Sequence, residues 1–192
     1  ETPEGFTADG KCVLYSASIQ DPASSAIFPT GAMNELYKVP VGGGRPAQVL
    51  ATPALSVSYL PDGASFVYQD VKGFEDTFRK HHTSSVTRDI WKYDAKTGKH
   101  TNLTNRGGED LNPVVGVDGS TIYFLSERNN GSMNVYSMNV DSPSNISQVT
   151  NFKTHPVRFL SQGSNFFFND TATTEIYTLA AGNQKAKKVA ID

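Results

Sequence analysis

Two adjacent histidines, His81 and His82, sit in a polar stretch with Glu75, Asp76 and Asp89 near them in sequence. Imidazole nitrogen and carboxylate oxygen together suit zinc or manganese. Neighbouring residues of an extended chain point opposite ways, so one such pair supplies two ligands only awkwardly. The stretch reads as a solvated loop, and no metal or cofactor is expected. His155, just before Pro156, reads as a structural loop histidine where the chain re-enters a strand. The chain has no Gly-x-Ser-x-Gly elbow, no phosphate-binding glycine loop and no His-Glu-x-x-His zinc sequence. With no nucleophile beside a base, these residues alone are expected to hydrolyse nothing.

Composition narrows the partners. The 192 residues are 38% hydrophobic and 19% charged, with a net charge of −2. That balance gives no reason to expect nucleic acid or an anionic membrane surface as a partner. No apolar run reaches the roughly 18 residues of a membrane-spanning helix, so no membrane insertion is expected. Arg79-Lys80 and the lysines of residues 185–188 read as solvated surface. Cys12 is the single cysteine and falls in an apolar strand, where it reads as a small buried hydrophobe. Sequons at Asn102, Asn130, Asn145 and Asn169 would matter only in a secreted eukaryotic protein. Glu1 falls inside the first repeat, so any leader is expected to have been removed.

The elements that would position any site repeat four times. Asp9-Gly10, Asp62-Gly63, Asp118-Gly119 and Gln162-Gly163 each lead into an apolar strand. Those strands carry Val13 and Tyr15, Phe66 and Tyr68, Ile122 and Phe124, Phe166 and Phe168. A second strand then repeats as polar, aliphatic, aromatic: Glu35-Leu-Tyr37, Asp89-Ile-Trp91, Asn134-Val-Tyr136 and Glu175-Ile-Tyr177. Aliphatics follow at Val49, Leu103, Val149 and Val189. Short strands repeating every roughly 45 to 55 residues indicate an all-β fold, a β-propeller of four-stranded antiparallel blades. The blades fall at about 1–52, 53–107, 108–151 and 152–192 of one propeller domain. The fourth is the least regular, because Gln162-Gly163 replaces Asp-Gly.

Consecutive apolar residues such as Ile122-Tyr-Phe-Leu125 imply cover on both faces of the strand. Neighbouring blades supply that cover, so Ile90, Trp91, Val135 and Tyr136 are expected in the core between blades. A full loss of Trp91 would then cost about 3–5 kcal/mol. Four blades leave two blade faces bare, and bare aromatic faces associate. The four blades are therefore expected to be part of a six- or seven-bladed ring.

Pro61-Asp62-Gly63, the apolar-aromatic strands and the Ile-Trp and Val-Tyr pairs resemble the WD40-like repeats of TolB and tricorn-type propellers. The run Gly108-Glu-Asp110, Asn112-Pro113, Asp118-Gly119, Leu125-Ser-Glu-Arg128, Asn134-Val-Tyr136, Thr154-His-Pro-Val-Arg-Phe159 is similar to the N-terminal propeller of bacterial, particularly Bacteroidetes, tricorn-like serine peptidases. The resemblance implies a non-catalytic, exported or periplasmic propeller that guides or gates peptide, or contacts protein, beside remaining blades and catalytic domains. Three alternatives stay open: a TolB-like interaction module with no enzyme attached, the N-terminal propeller of a prolyl-oligopeptidase-type hydrolase, and a propeller lyase.

Alternating strand direction places the second-to-third strand connection of each blade at the same end as the link to the next blade. That end should carry the long loops 18–34 and 70–88, while the other carries only tight turns. Long loops on a rigid framework are where recognition concentrates. Phe74, Phe78, Arg79, His81 and His82 are the candidate binding residues for a peptide or protein.

Overall fold

The computed structural model describes residues 1–19, 33–73, 80–154, 156–162, 166–170, 176–179 and 187–188. The strands form four sheets of four strands each, every sheet in chain order and antiparallel throughout. Blade 1 is β1 Thr2–Phe6, β2 Cys12–Ala17, β3 Glu35–Pro40 and β4 Ala47–Leu50. Blade 2 is β5 Ala54–Tyr59, β6 Phe66–Asp70, β7 Ile90–Asp94 and β8 Lys99–Asn102. Blade 3 is β9 Asp110–Val115, β10 Thr121–Ser126, β11 Asn134–Asn139 and β12 Ser142–Gln148. Blade 4 is β13 Val157–Gln162, β14 Phe166–Asp170, β15 Ile176–Leu179 and β16 Lys187–Lys188. The first strands of successive blades lie against one another, β1 on β5, β5 on β9 and β9 on β13. They surround a common axis, and the fold is a β-propeller.

Strand register explains why the repeated aromatics occupy fixed places. Tyr15 pairs with Tyr37, Tyr68 with Trp91, and Phe124 with Tyr136. Each pair lies on the front of its blade, and in blades 2 and 3 that face packs on the preceding blade. The residues between them in sequence lie on the back, because side chains alternate along a strand. Leu36, on the back of blade 1, packs with Phe66 and Tyr68 from the front of blade 2. Val67 and Ile90, on the back of blade 2, pack with Ile122, Phe124, Tyr136 and Met138 from the front of blade 3. Tyr123, Leu125 and Val135 continue the pattern against Val157 and Leu160 of blade 4. Each fully buried side chain of this size contributes roughly 1.5–3 kcal/mol.

Ile90, Val135 and Tyr136 are buried as expected. Trp91 is not: it is half-buried at the margin of the core between blades 1 and 2. Its indole Nε1 donates to Asp70 Oδ2 at 2.9 Å, so the ring keeps a polar edge that full burial in an apolar core would leave unpaired. Cys12 is also half-buried rather than enclosed. It lies at the start of β2, where blades 1 and 2 diverge into a cleft that it lines together with Asp9 and Lys38.

A hydrogen-bonded clip fixes each descent into the next blade. Asp89 Oδ1 accepts from Thr104 Oγ1 and from the Arg106 backbone N–H, while Thr104 Oγ1 accepts from Ile90 N–H. In blade 3, Asn134 Oδ1 accepts from Thr150 Oγ1 and from Phe152 N–H, while Thr150 Oγ1 accepts from Val135 N–H. The same side chains in the same places give the same turn. Blade 1 has no threonine at the corresponding position, and Glu35 instead accepts from Ile19 N–H and the Tyr37 hydroxyl.

Candidate functional site

The described roots of the second-to-third strand connections lie at one end, as antiparallel strand order requires. The His81 backbone N–H donates to Glu127 Oε2 at 2.6 Å, and Glu127 follows β10 in blade 3. Thr83 bridges Gly108, and Ser84 N–H donates to Gly107 C=O at 3.2 Å. The second-to-third connection of blade 2 thus straps onto the corresponding connection of blade 3 and onto the link between the two blades. In blade 1, Ser18 hydrogen-bonds Asn34 across the root of the first long loop. Residues 20–32 lie outside the described residues. A 3-10 turn over Arg128–Asn130 closes the short connection of blade 3, with Asn129 in the left-handed region at φ 68°.

Of the expected binding residues, Phe74, Phe78 and Arg79 lie outside the described residues, as does His155. His81 and His82 are described. His81 is exposed, with left-handed backbone at φ 51° and Nδ1 3.9 Å from Glu127 Oε2. His82 is half-buried. Among the described residues no group of three or more His, Cys, Asp or Glu side chains converges on a metal position.

Beneath the strap lies a charged floor that the sequence reading missed. Lys72 Nζ donates to Asp89 Oδ2 at 2.6 Å and to the Thr87 carbonyl at 2.7 Å, and stands 3.5 Å from Asp70 Oδ2. Burial pushes the Lys72 ammonium down, but the bond to Asp89 and the charges of Asp70 and Asp89 outweigh it and hold the pKa above its usual value. Burial pushes the Asp70 carboxyl up, against the Asp89 backbone N–H and Lys72. Asp110, fully enclosed, accepts from Arg128 Nη2 at 2.8 Å and from Arg106 Nε at 3.5 Å. Burial still dominates, so the Asp110 carboxyl stays above its ordinary value despite both guanidiniums. The Arg128 guanidinium also lies over the Phe124 and Tyr136 rings, at 5.2 and 5.5 Å, and its carbonyl accepts from the Tyr136 hydroxyl. These bonds satisfy the charges internally and make the floor a rigid base for the loops.

The second feature is the axis. A cleft of about 540 Å³ is lined by the inner strands of all four blades. Every inner strand carries a bulge, which inserts an extra residue and re-aims its side chain. At these bulges the blades are cross-braced. Glu4 Oε2 accepts from Ser56 N–H at 2.6 Å, Gln69 Oε1 from Asn112 N–H at 3.0 Å, and Asn112 Oδ1 from Leu160 N–H at 2.9 Å. Ser56 and Asn112 both take left-handed backbone, at φ 50°, so their N–H groups turn towards the preceding blade.

The comparisons agree on architecture. Residues 1–185 match the family described as the tricorn protease N-terminal β-propeller domain. An uncharacterized protein of Agrobacterium fabrum is 30% identical over 147 residues, spanning 76% of this chain and 42% of that protein. The crystal structure of the tricorn protease superposes with a TM-score of 0.77 at 22% identity, over 97% of this chain and 17% of its own. A putative TolB from Agrobacterium tumefaciens gives a TM-score of 0.69 at 21% identity, over 95% of this chain and 62% of its own. The chain therefore spans less than two thirds of the length of each of these proteins.

Proposed function

Because the chain belongs to the family of tricorn protease N-terminal β-propeller domains, we propose that it is a non-catalytic propeller that guides or gates peptide substrate for a serine peptidase of the same protein. Its working surface is the loop-rich end, with His81 and His82 as described contributors and Phe74, Phe78 and Arg79 beside them in sequence. The observation that supports this reading is the strap: a long connection held to the next blade by Glu127, Gly107 and Gly108, over a charge network that spends its bonds on positioning. Recognition built on such a base has a fixed geometry without chemistry of its own. The resemblance to TolB and tricorn propellers supports an exported or periplasmic location.

The proposal includes further blades. The front of blade 1 carries Val13, Tyr15 and Val39 half-buried, whereas the matching Phe66, Tyr68, Ile122 and Phe124 are at most 1% exposed. A surface of the same composition as three packed interfaces suits another blade of a larger ring.

The test uses the full-length protein with loops 18–34 and 70–88 cut to the length of 127–133. Cleavage of long peptides should fall or lose selectivity, while a short chromogenic substrate that bypasses gating is cleaved as before. Unchanged cleavage of both overturns the assignment of this end. Turnover by the isolated 192-residue chain, abolished by a point substitution within it, overturns the non-catalytic reading.

A further inference from the structure

Among the described residues that line the axial cleft, Glu4 is the only Asp, Glu, Lys, Arg or His. Phe6 and Phe159 stand on its walls with 62% and 51% of their surface exposed, and Val57, Pro113 and Leu160 complete the apolar part. Glu4 is the added residue in the bulge of β1, between Pro3 and Gly5.

The two hydrogen bonds to Glu4 come from neutral donors, Ser16 Oγ at 3.0 Å on Oε1 and Ser56 N–H at 2.6 Å on Oε2. None of the ion pairs among the described residues involves it. A carboxylate has about four lone-pair sites, so these two bonds leave capacity on each oxygen. Burial pushes the Glu4 carboxyl up, and the bonds from Ser56 and Ser16 offset it only in part. Buried aspartates elsewhere in this molecule have cations: Asp70 and Asp89 have Lys72, and Asp110 has Arg106 and Arg128. Glu4 lines the cleft, is held by two blades and has no cation partner among the described residues.

We propose that the axial cleft binds an aliphatic ammonium group carried on an apolar peptide, with Glu4 taking the ammonium and Phe6 and Phe159 flanking the adjoining apolar residues. The ammonium supplies three donors and the missing positive charge, and the two aromatic faces favour a cation beside them. Two sources share this chemistry, a peptide amino terminus and a lysine side chain. The site rests on the reading that the propeller handles peptides, but on a surface distinct from the loop-rich end, and it fails or stands separately.

The probe is an apolar hexapeptide amide labelled with a fluorophore near its C-terminus, followed by anisotropy on the full-length protein with its peptidase activity inhibited. Three forms are compared: free amino terminus, N-acetylated, and N-acetylated with one internal lysine. A charge-assisted hydrogen bond predicts about tenfold or more tighter binding of the free-amine form than of the acetylated one. Glu4→Gln should erase that ratio while leaving the acetylated peptide's affinity and the melting temperature close to wild type, since the amide oxygen still accepts from Ser56 N–H. Recovery of affinity by the internal lysine assigns the side-chain source, and no recovery assigns the amino terminus. Phe159→Ala should weaken all forms together. Equal affinity for free and acetylated peptide, a ratio that survives Glu4→Gln, or no binding of any form overturns the site. Loop shortening that leaves the ratio intact separates this result from failure of the loop-face reading.

Discussion

Gly119 tests the packing of blade on blade at a single atom. It sits in the Asp118-Gly119 turn at φ +71°, and a Cβ built on it would lie 2.2 Å from Pro61 Cγ in the turn of blade 2. Gly98, in the outer turn of blade 2, has nearly the same backbone at φ +69° but nothing within 4 Å of its Cβ position. Alanine at Gly98 therefore carries only the cost of left-handed backbone, about 1–2 kcal/mol. Alanine at Gly119 carries that and must also displace a proline ring, an overpacking cost of typically 1–3 kcal/mol. The expected losses are about 1–2 kcal/mol for Gly98→Ala and about 2–5 kcal/mol for Gly119→Ala. For a chain of this length each kcal/mol lowers Tm by about 2–4 °C. Urea titration followed by circular dichroism measures both. Pro61→Ala removes the ring carbon that the added methyl would strike, so the Gly119→Ala loss should shrink towards the Gly98→Ala value in that background. Equal losses for the two glycines, or a Gly119→Ala loss indifferent to Pro61, would refute the turn-on-turn contact.

Two further expectations follow from burial and charge. Ile90→Ala should cost about 2–5 kcal/mol as a fully buried deletion, and Trp91→Ala less than Ile90→Ala, because the indole is only half-buried; urea titration giving the reverse order contradicts the register. Asp62 is held below its ordinary carboxyl pKa by the Ser65 side chain and the Ala64 and Ser65 N–H groups; at Asp118, burial is the largest single influence and pushes upward, but bonds from Thr121 and Ser120 together outweigh it. A depressed folded pKa stabilises above the unfolded value of about 4 and is lost as pH falls through the folded one, so Asp62→Asn with Asp118→Asn should flatten the acid limb of Tm against pH, and an unchanged limb removes the inference.

Much of this fold can be read from the chain because a propeller repeats its physics. Tyr15, Tyr68 and Phe124 recur because each must fill the same gap between sheets about 10 Å apart, and the strand register bears this out. Trp91 fits the same sequence slot yet lies at the margin, because its polar edge is committed to Asp70 and sequence position does not reveal distance from the rim. The clips were also written in the chain, as Leu103-Thr-Asn-Arg106 and Val149-Thr-Asn-Phe152. Their meaning needed the partners Asp89 and Asn134, the polar members of the repeated polar-aliphatic-aromatic strand. The Arg128–Asp110 pair within blade 3 and the Glu4–Ser56 brace between blades 1 and 2 follow no repeated spacing, so no local signal announces them. The expected loop-face residues are legible only as composition, and Glu127, which holds His81, was visible merely as the start of a short loop.

The distribution of polar side chains separates the two ends and the axis by what each can do. At the loop-rich end of blades 2 and 3 buried carboxylates have cations: Lys72 lies between Asp70 and Asp89, and Asp110 lies between Arg106 and Arg128. A matched buried network resists change, since removing one member strands the others at a cost of about 3–5 kcal/mol. It fixes the loops that stand on it. At the opposite end the aspartates Asp9, Asp62 and Asp118 are bound up in their own turns. Along the axis Glu4 has hydrogen bonds and, among the described residues, no counter-charge. On the two proposals made above, recognition by shape falls to the loops standing on the matched network, and recognition by charge falls to the cleft. A peptide that meets both would be held by its side chains at the mouth and by an ammonium group inside, which requires the two sites to be loaded by one chain running along the propeller axis.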